Sequence, residues 1–100
     1  MMGNVKQHLP EYTRKQLTDE IIATAVCNIH CRLDPSSFNE DSDVVNDMHA
    51  DSLDVVWMIL DLEEKLGVTL TDDEVDGKYK IREIVDAFYN RLKLEGRIKE

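Results

Sequence analysis

The chain has 100 residues, 42% of them hydrophobic, and a formal net charge of −9 at pH 7. This length fits one small domain with a modest core, and no stretch is long enough to span a membrane. The charge is uneven, because residues 34–76 hold fourteen acidic side chains and one basic side chain. Such a surface excludes nucleic acid and favours a protein partner with a basic surface. Two cysteines and an N-terminus without an apolar signal segment predict a cytoplasmic location.

The first helix is predicted to begin near Thr13. Residues 1–12 show no periodicity, and we expect them to form a flexible tail. Thr13-Arg14-Lys15-Gln16 has the pattern of a capping box, and apolar residues then recur every three or four positions to about Arg32. Asp34-Pro35-Ser36-Ser37 ends this helix, and residues 34–50 form a long polar loop of a kind that is functional or mobile.

The second helix is predicted from Ser52 to about Leu66, with Asp51 as its N-cap and Gly67 just after its end. Its charged residues are expected on one side of the helix, and they are Asp54, Asp61, Glu64 and Lys65. Trp57 and Met58 are expected beside this polar side. Its apolar residues are expected on one broad face: Leu53, Val55, Val56, Ile59, Leu60, Leu62 and Leu66. The hydroxyl of Ser52 then lies in the first turn, where unpaired N–H groups favour an attached anion.

The remaining sequence predicts one short and one long helix. Residues 68–70 are extended, residues 72–80 form turns with one helical turn among them, and residues 81–95 form the last amphipathic helix. We therefore expect an all-α fold, an irregular four-helix bundle with three long helices and one short helix. The predicted domain covers residues 13–95, and residues 96–100 form a C-terminal tail.

The stretch Asp51-Ser52-Leu53 resembles the phosphopantetheine-attachment motif of acyl carrier proteins, and the resemblance covers about residues 13–95. Met48-His49-Ala50 stands where the family commonly has leucine, glycine and alanine. The run from Leu60 to Val68 is similar to the acidic second helix of the family. Two departures, His49 in place of glycine and Trp57 in place of an acidic residue, indicate a specialised member.

The resemblance implies that a phosphopantetheinyl transferase attaches 4′-phosphopantetheine from coenzyme A to Ser52, and that the arm carries acyl groups as thioesters. Asp51, Leu53 and His49 would lie next to the attached arm. The protein would be a monomeric carrier, not an enzyme, and would deliver acyl intermediates to enzymes of fatty-acid, lipid or polyketide-type synthesis.

The resemblance also implies two sets of contact residues. Partner enzymes with basic docking surfaces would contact the second helix at Asp54, Trp57, Asp61, Glu63 and Glu64. The acyl chain would lie in a pocket lined by Val56, Ile59, Leu60, Leu62, Ile81 and Phe88, although these residues also fit an ordinary core.

Several alternatives stay open on the sequence alone. A peptidyl or D-alanyl carrier protein would use the same serine for an aminoacyl group. An EF-hand-like calcium module between Asp72 and Glu83 has the required Gly77, but Glu74 stands where Asp or Asn is usual and no second loop pairs with it. An enzyme with Ser52 as nucleophile is disfavoured, because no Gly-x-Ser-x-Gly turn surrounds it.

Cys27, His30 and Cys31 form a cluster of soft metal ligands on the first helix. A tetrahedral zinc site needs a fourth ligand, and His8 lies in the predicted tail. Free cysteines are commonly buried as small apolar side chains. We interpret the cysteines in this way and predict no metal site.

Overall fold

The computed structural model describes residues 11–29 and 32–99 of the chain. Within these ranges there is a 3-10 helix at Pro35–Ser37 and no strand. The α-helices, in chain order, are α1 (Arg14–Ile29), α2 (Ser52–Leu66), α3 (Asp72–Val75) and α4 (Ile81–Leu94). The predicted all-α bundle with three long helices and one short helix is confirmed. In the described part of the chain, no helix has the length and apolar character that a membrane span requires.

Helix α1 is the central element, since it packs against both α2 and α4. It begins with the predicted capping box, in which the Gln16 N–H donates to Thr13 Oγ1 at 3.1 Å and the Thr13 N–H donates to Gln16 Oε1 at 3.0 Å. Its apolar side chains in the core are Leu17, Ile21, Ile22, Ala25 and Val26. The predicted end near Arg32 cannot be compared directly, because His30 and Cys31 lie outside the described residues.

Helix α2 begins and ends where the sequence predicts. Gly67 has a left-handed backbone with φ 70°, and its N–H donates to the Glu63 carbonyl at 2.9 Å. The sequence places the apolar residues of α2 on one broad face, and the bundle buries only part of that face. The expectation that Met58 lies beside the polar side was wrong, because Met58 is fully buried. The side chains of α2 in the core are Met58, Ile59, Leu62 and Leu66. By contrast, Leu53, Val56 and Leu60 are exposed.

Helices α3 and α4 complete the bundle and pack against each other. The single turn of α3 lies within the segment predicted to contain one, and α4 ends one residue before its predicted limit. The Glu74 carboxylate of α3 accepts from the Thr71 N–H and from the Arg91 guanidinium of α4, each at 2.7 Å. The buried side chains of α4 are Ile81, Ile84, Val85, Ala87, Phe88 and Leu92.

The long loop before α2 is held to the bundle along much of its length. Val44 and Met48 are buried in the core. The Val44 N–H donates to the Tyr79 carbonyl and the Ile81 N–H donates to the Ser42 carbonyl, both at 2.8 Å. The loop therefore runs antiparallel to the segment that leads into α4, and this pairing fixes the approach of the chain to Ser52.

The two ends of the described chain meet beside α1 and α2. The Tyr12 N–H donates to the Arg97 carbonyl, and the Lys99 N–H donates to the Tyr12 carbonyl, each at 3.0 Å. The Arg97 side chain is buried and donates to the carbonyls of Leu66 and Gly67 at the end of α2. Residues on both sides of the predicted domain thus contact the bundle, and the boundaries at 13 and 95 stay a prediction.

Candidate functional site

Ser52 is exposed and is the first residue of α2. Asp51 is extended, and its Oδ1 accepts from the Asp54 N–H at 2.9 Å. The Asp51 N–H in turn donates to Asp54 Oδ2 at 3.1 Å, so the two carboxylates close a capping box around the serine. This arrangement places the Ser52 hydroxyl at the positive end of the helix dipole, where a covalently attached phosphate is favoured.

The backbone turns sharply at His49, three residues before Ser52. His49 has φ 64°, a left-handed conformation that glycine adopts most easily and that histidine tolerates better than most other residues. Its neighbours Met48 and Ala50 are buried, and the Ala50 N–H donates to the Val44 carbonyl at 2.8 Å. The turn lets the chain leave the core and bring Asp51 and Ser52 to the surface, while the imidazole of His49 is exposed.

A cavity of about 640 Å³ lies between α2 and the segment containing α3, and Ser52 is at its edge. Its apolar lining consists of Val55, Val56, Ile59, Leu60, Leu70 and Val75. Its polar lining includes four carboxylates, those of Glu63, Asp72, Asp73 and Asp76. Apolar side chains and the Ser52 hydroxyl therefore lie along the same cavity.

The residues predicted for the acyl pocket divide into two groups. Val56, Ile59 and Leu60 line the cavity beside Ser52. Leu62, Ile81 and Phe88 are fully buried and do not line this cavity. The difference arises because Leu62 belongs to the buried face of α2, and Ile81 and Phe88 belong to the buried face of α4.

The predicted docking residues lie on different sides of α2. Trp57 and Glu64 are exposed, and Asp54 takes part in the capping box. Asp61 accepts from the Asn28 side chain of α1 at 3.2 Å, and Lys65 Nζ lies 3.8 Å from the same carboxylate oxygen. The Glu63 carboxylate accepts from the Leu70 N–H at 2.8 Å and helps to shape the turn after α2.

Acidic side chains of the EF-hand-like segment have other partners in the described part of the chain. Across residues 11–29 and 32–99, no three His, Cys, Asp or Glu side chains are grouped to hold a metal ion. In the EF-hand-like segment, Glu74 is paired with Arg91, and Glu83 accepts from the Lys80 N–H at 3.3 Å. These carboxylates stabilise helix starts and helix packing and do not converge on a common point.

Of the predicted cluster of Cys27, His30 and Cys31, only Cys27 lies within the described residues. Cys27 is a free, exposed thiol, so its interpretation as a buried apolar residue was wrong. An amphipathic pattern leaves residues at the edge of the apolar face ambiguous, and Cys27 lies on the solvent side of that edge. His30 and Cys31 lie outside the described residues.

Comparison with known proteins shows the family to which the chain belongs. Residues 20–88 match the family model described as a phosphopantetheine attachment site. The chain belongs to this family. Its similar relatives include acyl carrier proteins of Campylobacter hominis, 38% identical over 56% of this chain and 71% of the relative, and of Lactobacillus acidophilus, 40% identical over 55% and 65%. The acyl carrier protein of Thermosynechococcus vestitus is 32% identical over 60% of this chain and 74% of the relative.

Membership of the family identifies a covalently attached 4′-phosphopantetheine as the prosthetic group. The residues present fit such a group, because an exposed hydroxyl at the start of a long helix adjoins a cavity with an apolar wall. The similar relatives are named as carriers, and the family places this chain among carrier proteins.

The sequence did not predict that residues 69–79 form the wall of the cavity opposite α2. Val75 and Leu70 are its apolar residues, and Tyr79 and Gly77 lie at the same wall. The apolar residues at positions 68, 70 and 75 were the available signal. Their spacing follows neither a helix nor a strand for long enough to show which face they share.

Proposed function

We propose that Ser52 is the attachment residue for 4′-phosphopantetheine and that the chain carries acyl intermediates to the enzymes that process them. The observation that carries this proposal is the position of an exposed serine hydroxyl at the N-terminus of α2, beside the 640 Å³ cavity. When attached, the group supplies a terminal thiol that holds acyl groups as thioesters. The chain itself holds the arm, shelters the acyl group and presents it to partner enzymes, and these roles need no catalytic residue in this chain.

Each part of the site has a distinct physical role in this proposal. The capping box of Asp51 and Asp54 holds Ser52 at the start of α2, so that the hydroxyl faces solvent and is accessible to a transferase. Val56, Ile59 and Leu60 provide apolar surface for the carried chain. Burial of each methylene contributes about 0.8 kcal/mol, so a short acyl chain gains useful shelter without being trapped.

The acidic surface of residues 34–76 supplies the second part of the proposal. An excess of carboxylates attracts enzymes with basic surfaces through long-range steering. Glu64 is the predicted docking acid with no hydrogen bond or ion pair among the described residues, whereas Asp54, Asp61 and Glu63 each contact a group of the chain itself. We assign the cytoplasm as the location in which these encounters take place.

The decisive experiment is modification in vitro. The unmodified protein is incubated with coenzyme A and a broad-specificity phosphopantetheinyl transferase, and the intact mass is measured. We expect a gain of one phosphopantetheine group in the wild type and none in Ser52→Ala. The matched control is Ser37→Ala, an exposed serine of the 3-10 helix, which should be modified like the wild type. A gain that persists in Ser52→Ala would show that the attachment residue is another one.

A further inference from the structure

The outer face of α2 carries a stripe of exposed apolar side chains that begins directly after Ser52. The exposed fractions are 65% for Leu53, 52% for Val56, 60% for Trp57 and 49% for Leu60. Spacings of three and four residues put these side chains on one face of the helix, over a length of about 10 Å. Contiguous exposed apolar surface of this kind marks an interaction site in a soluble domain.

Charged groups contribute less to this face than the net charge of the chain suggests. The carboxylates of Asp54 and Asp61 lie to one side of the stripe, where the first bonds the Asp51 N–H and the second bonds Asn28. Glu63 lies on the other side and bonds the Leu70 N–H. Only Glu64, one turn beyond Leu60, continues the stripe with a carboxylate that has no hydrogen bond or ion pair within residues 11–29 and 32–99. The surface next to Ser52 is therefore mainly apolar, with an acidic rim.

The position of the stripe indicates what covers it. A second copy of the chain is a poor occupant, because two faces within the acidic 34–76 region would bring like charges together. The carried acyl chain does not cover Leu53 or Trp57 either, since neither residue lines the cavity. An enzyme that acts on the Ser52 hydroxyl must lie against the surface within about 10 Å of it, and the stripe occupies that surface.

We propose that Trp57 is the anchor by which a phosphopantetheinyl transferase recognises this chain, and that the indole ring fills an apolar pocket on the transferase. Leu53, Val56 and Leu60 surround the anchor and exclude water, and Glu64 meets a basic rim on the enzyme. Large aromatic side chains at the centre of an interface contribute most to affinity when they are fully desolvated. This inference rests on the proposed function of Ser52 and names the surface that selects the enzyme.

The chain offers a direct probe of this contact, because Trp57 is its single tryptophan. The unmodified protein is prepared with 5-fluorotryptophan and titrated with a broad-specificity phosphopantetheinyl transferase in the absence of coenzyme A. We expect the single fluorine resonance to shift or broaden with saturation, which gives the dissociation constant directly. A resonance unchanged at transferase concentrations that saturate modification of Ser52 would overturn the proposal.

Variants then measure the contribution of the anchor. Trp57→Ala should raise the KM for the carrier in the phosphopantetheine transfer reaction at least tenfold with a smaller change in kcat, and Trp57→Phe should recover part of the loss. The matched control is Leu94→Ala, because Leu94 is 81% exposed at the end of α4 and outside the stripe. Leu94→Ala should keep the wild-type KM. A KM for Trp57→Ala within threefold of the wild type would overturn the proposal.

The outcomes separate this inference from the proposed function. Absence of any mass gain in the wild type would overturn the role of Ser52 itself. Normal modification of Ser52 with no sensitivity to Trp57 would overturn only the anchor. Sedimentation velocity of the wild type supplies a further test, since a dimer that Trp57→Ala dissociates would show that a second copy, and not the transferase, covers the stripe.

Discussion

At the scale of single residues, His49 has an unfavourable backbone conformation, with φ 64°. It is the single non-glycine residue with positive φ among residues 11–29 and 32–99. A left-handed conformation costs an L-residue about 1–2 kcal/mol, and a histidine bears this cost more easily than a β-branched residue. The buried neighbours Met48 and Ala50 hold the chain in this turn. Burial of these neighbours therefore compensates the cost of the left-handed conformation, and the turn places Asp51 where it caps the start of α2.

Substitutions at His49 test this account. His49→Gly should change the free energy of unfolding by less than about 1 kcal/mol, because relief of the left-handed strain is offset by a more flexible unfolded chain. His49→Ile should lower the free energy of unfolding by about 1–2 kcal/mol relative to the wild type, because a β-branched residue is poorly accommodated at positive φ. Urea unfolding followed by circular dichroism measures both. Equal stability of the glycine and isoleucine variants would contradict the account.

At the scale of elements, the single turn of α3 depends on one carboxylate for its position. Glu74 accepts hydrogen bonds from the Thr71 N–H and from Arg91 of α4, so it closes the start of α3 and joins α3 to α4. These bonds stabilise the ionised form, and the Thr71 backbone bond is the larger cause that lowers the pKa of Glu74. Glu74 thus holds α3, three of whose residues line the cavity beside Ser52, against α4.

The pH dependence follows from the direction of this shift. A carboxyl whose pKa is lowered by folding stabilises the fold above its unfolded pKa, and this contribution is lost as the pH falls through the lower folded value. The ordinary pKa of a glutamate is 4.5. As the pH falls below this value, the melting temperature of the wild type should decrease progressively. Glu74→Gln should be less stable than the wild type at pH 7, and the difference between the two melting temperatures should shrink as the pH falls through the lowered folded pKa of Glu74.

Thermal unfolding at a series of pH values measures this effect. The control is Glu64→Gln, which removes an exposed carboxylate with no hydrogen bond or ion pair in the described part of the chain. Its melting temperature should follow that of the wild type at every pH. A constant difference between Glu74→Gln and the wild type from pH 7 to pH 3 would show that the Glu74 carboxylate has no role in the pH dependence.

At the scale of the whole molecule, Arg97 connects the C-terminal segment to the end of the helix that bears Ser52. Its guanidinium is buried and donates to the carbonyls of Leu66 and Gly67, which have no partner within α2. Gly67 suits this position because of its left-handed backbone, with φ 70°; a Cβ there would lie at ordinary contact distances of 3.6 and 3.7 Å from the guanidinium nitrogens. Pairing of Tyr12 with the same segment completes the link between the chain ends.

Removal of this link should destabilise the protein without affecting the attachment site. Arg97→Met should lower the free energy of unfolding by about 2–3 kcal/mol, since charged hydrogen bonds to buried carbonyls are lost. Lys99→Ala, which changes an exposed side chain of the same segment, should stay within about 0.5 kcal/mol of the wild type. Urea unfolding measures both variants. Below the unfolding temperature, Ser52 of Arg97→Met should still accept phosphopantetheine, because Arg97 contacts the opposite end of α2.

The sequence alone determined the helices and the attachment motif. Caps at Thr13 and Asp51, the glycine at 67 and the apolar spacing are local signals, because a helix begins, continues and ends through interactions within a few residues. The position of Ser52 at the start of α2 followed from these signals. The motif around it identified the family before any tertiary contact was known.

Only the tertiary structure decided which apolar residues are buried. Periodicity gave α2 a broad apolar arc, but the packed bundle buries Leu62 and Leu66 of that arc and leaves Leu53 and Leu60 at the surface. Met58, expected beside the polar side, is fully buried. The cavity beside Ser52 depends in the same way on where α3 lies. Local sequence sets the preference of each residue for burial, whereas the partners that bury it come from distant parts of the chain. The surface presented to a partner is therefore a property of the packed fold.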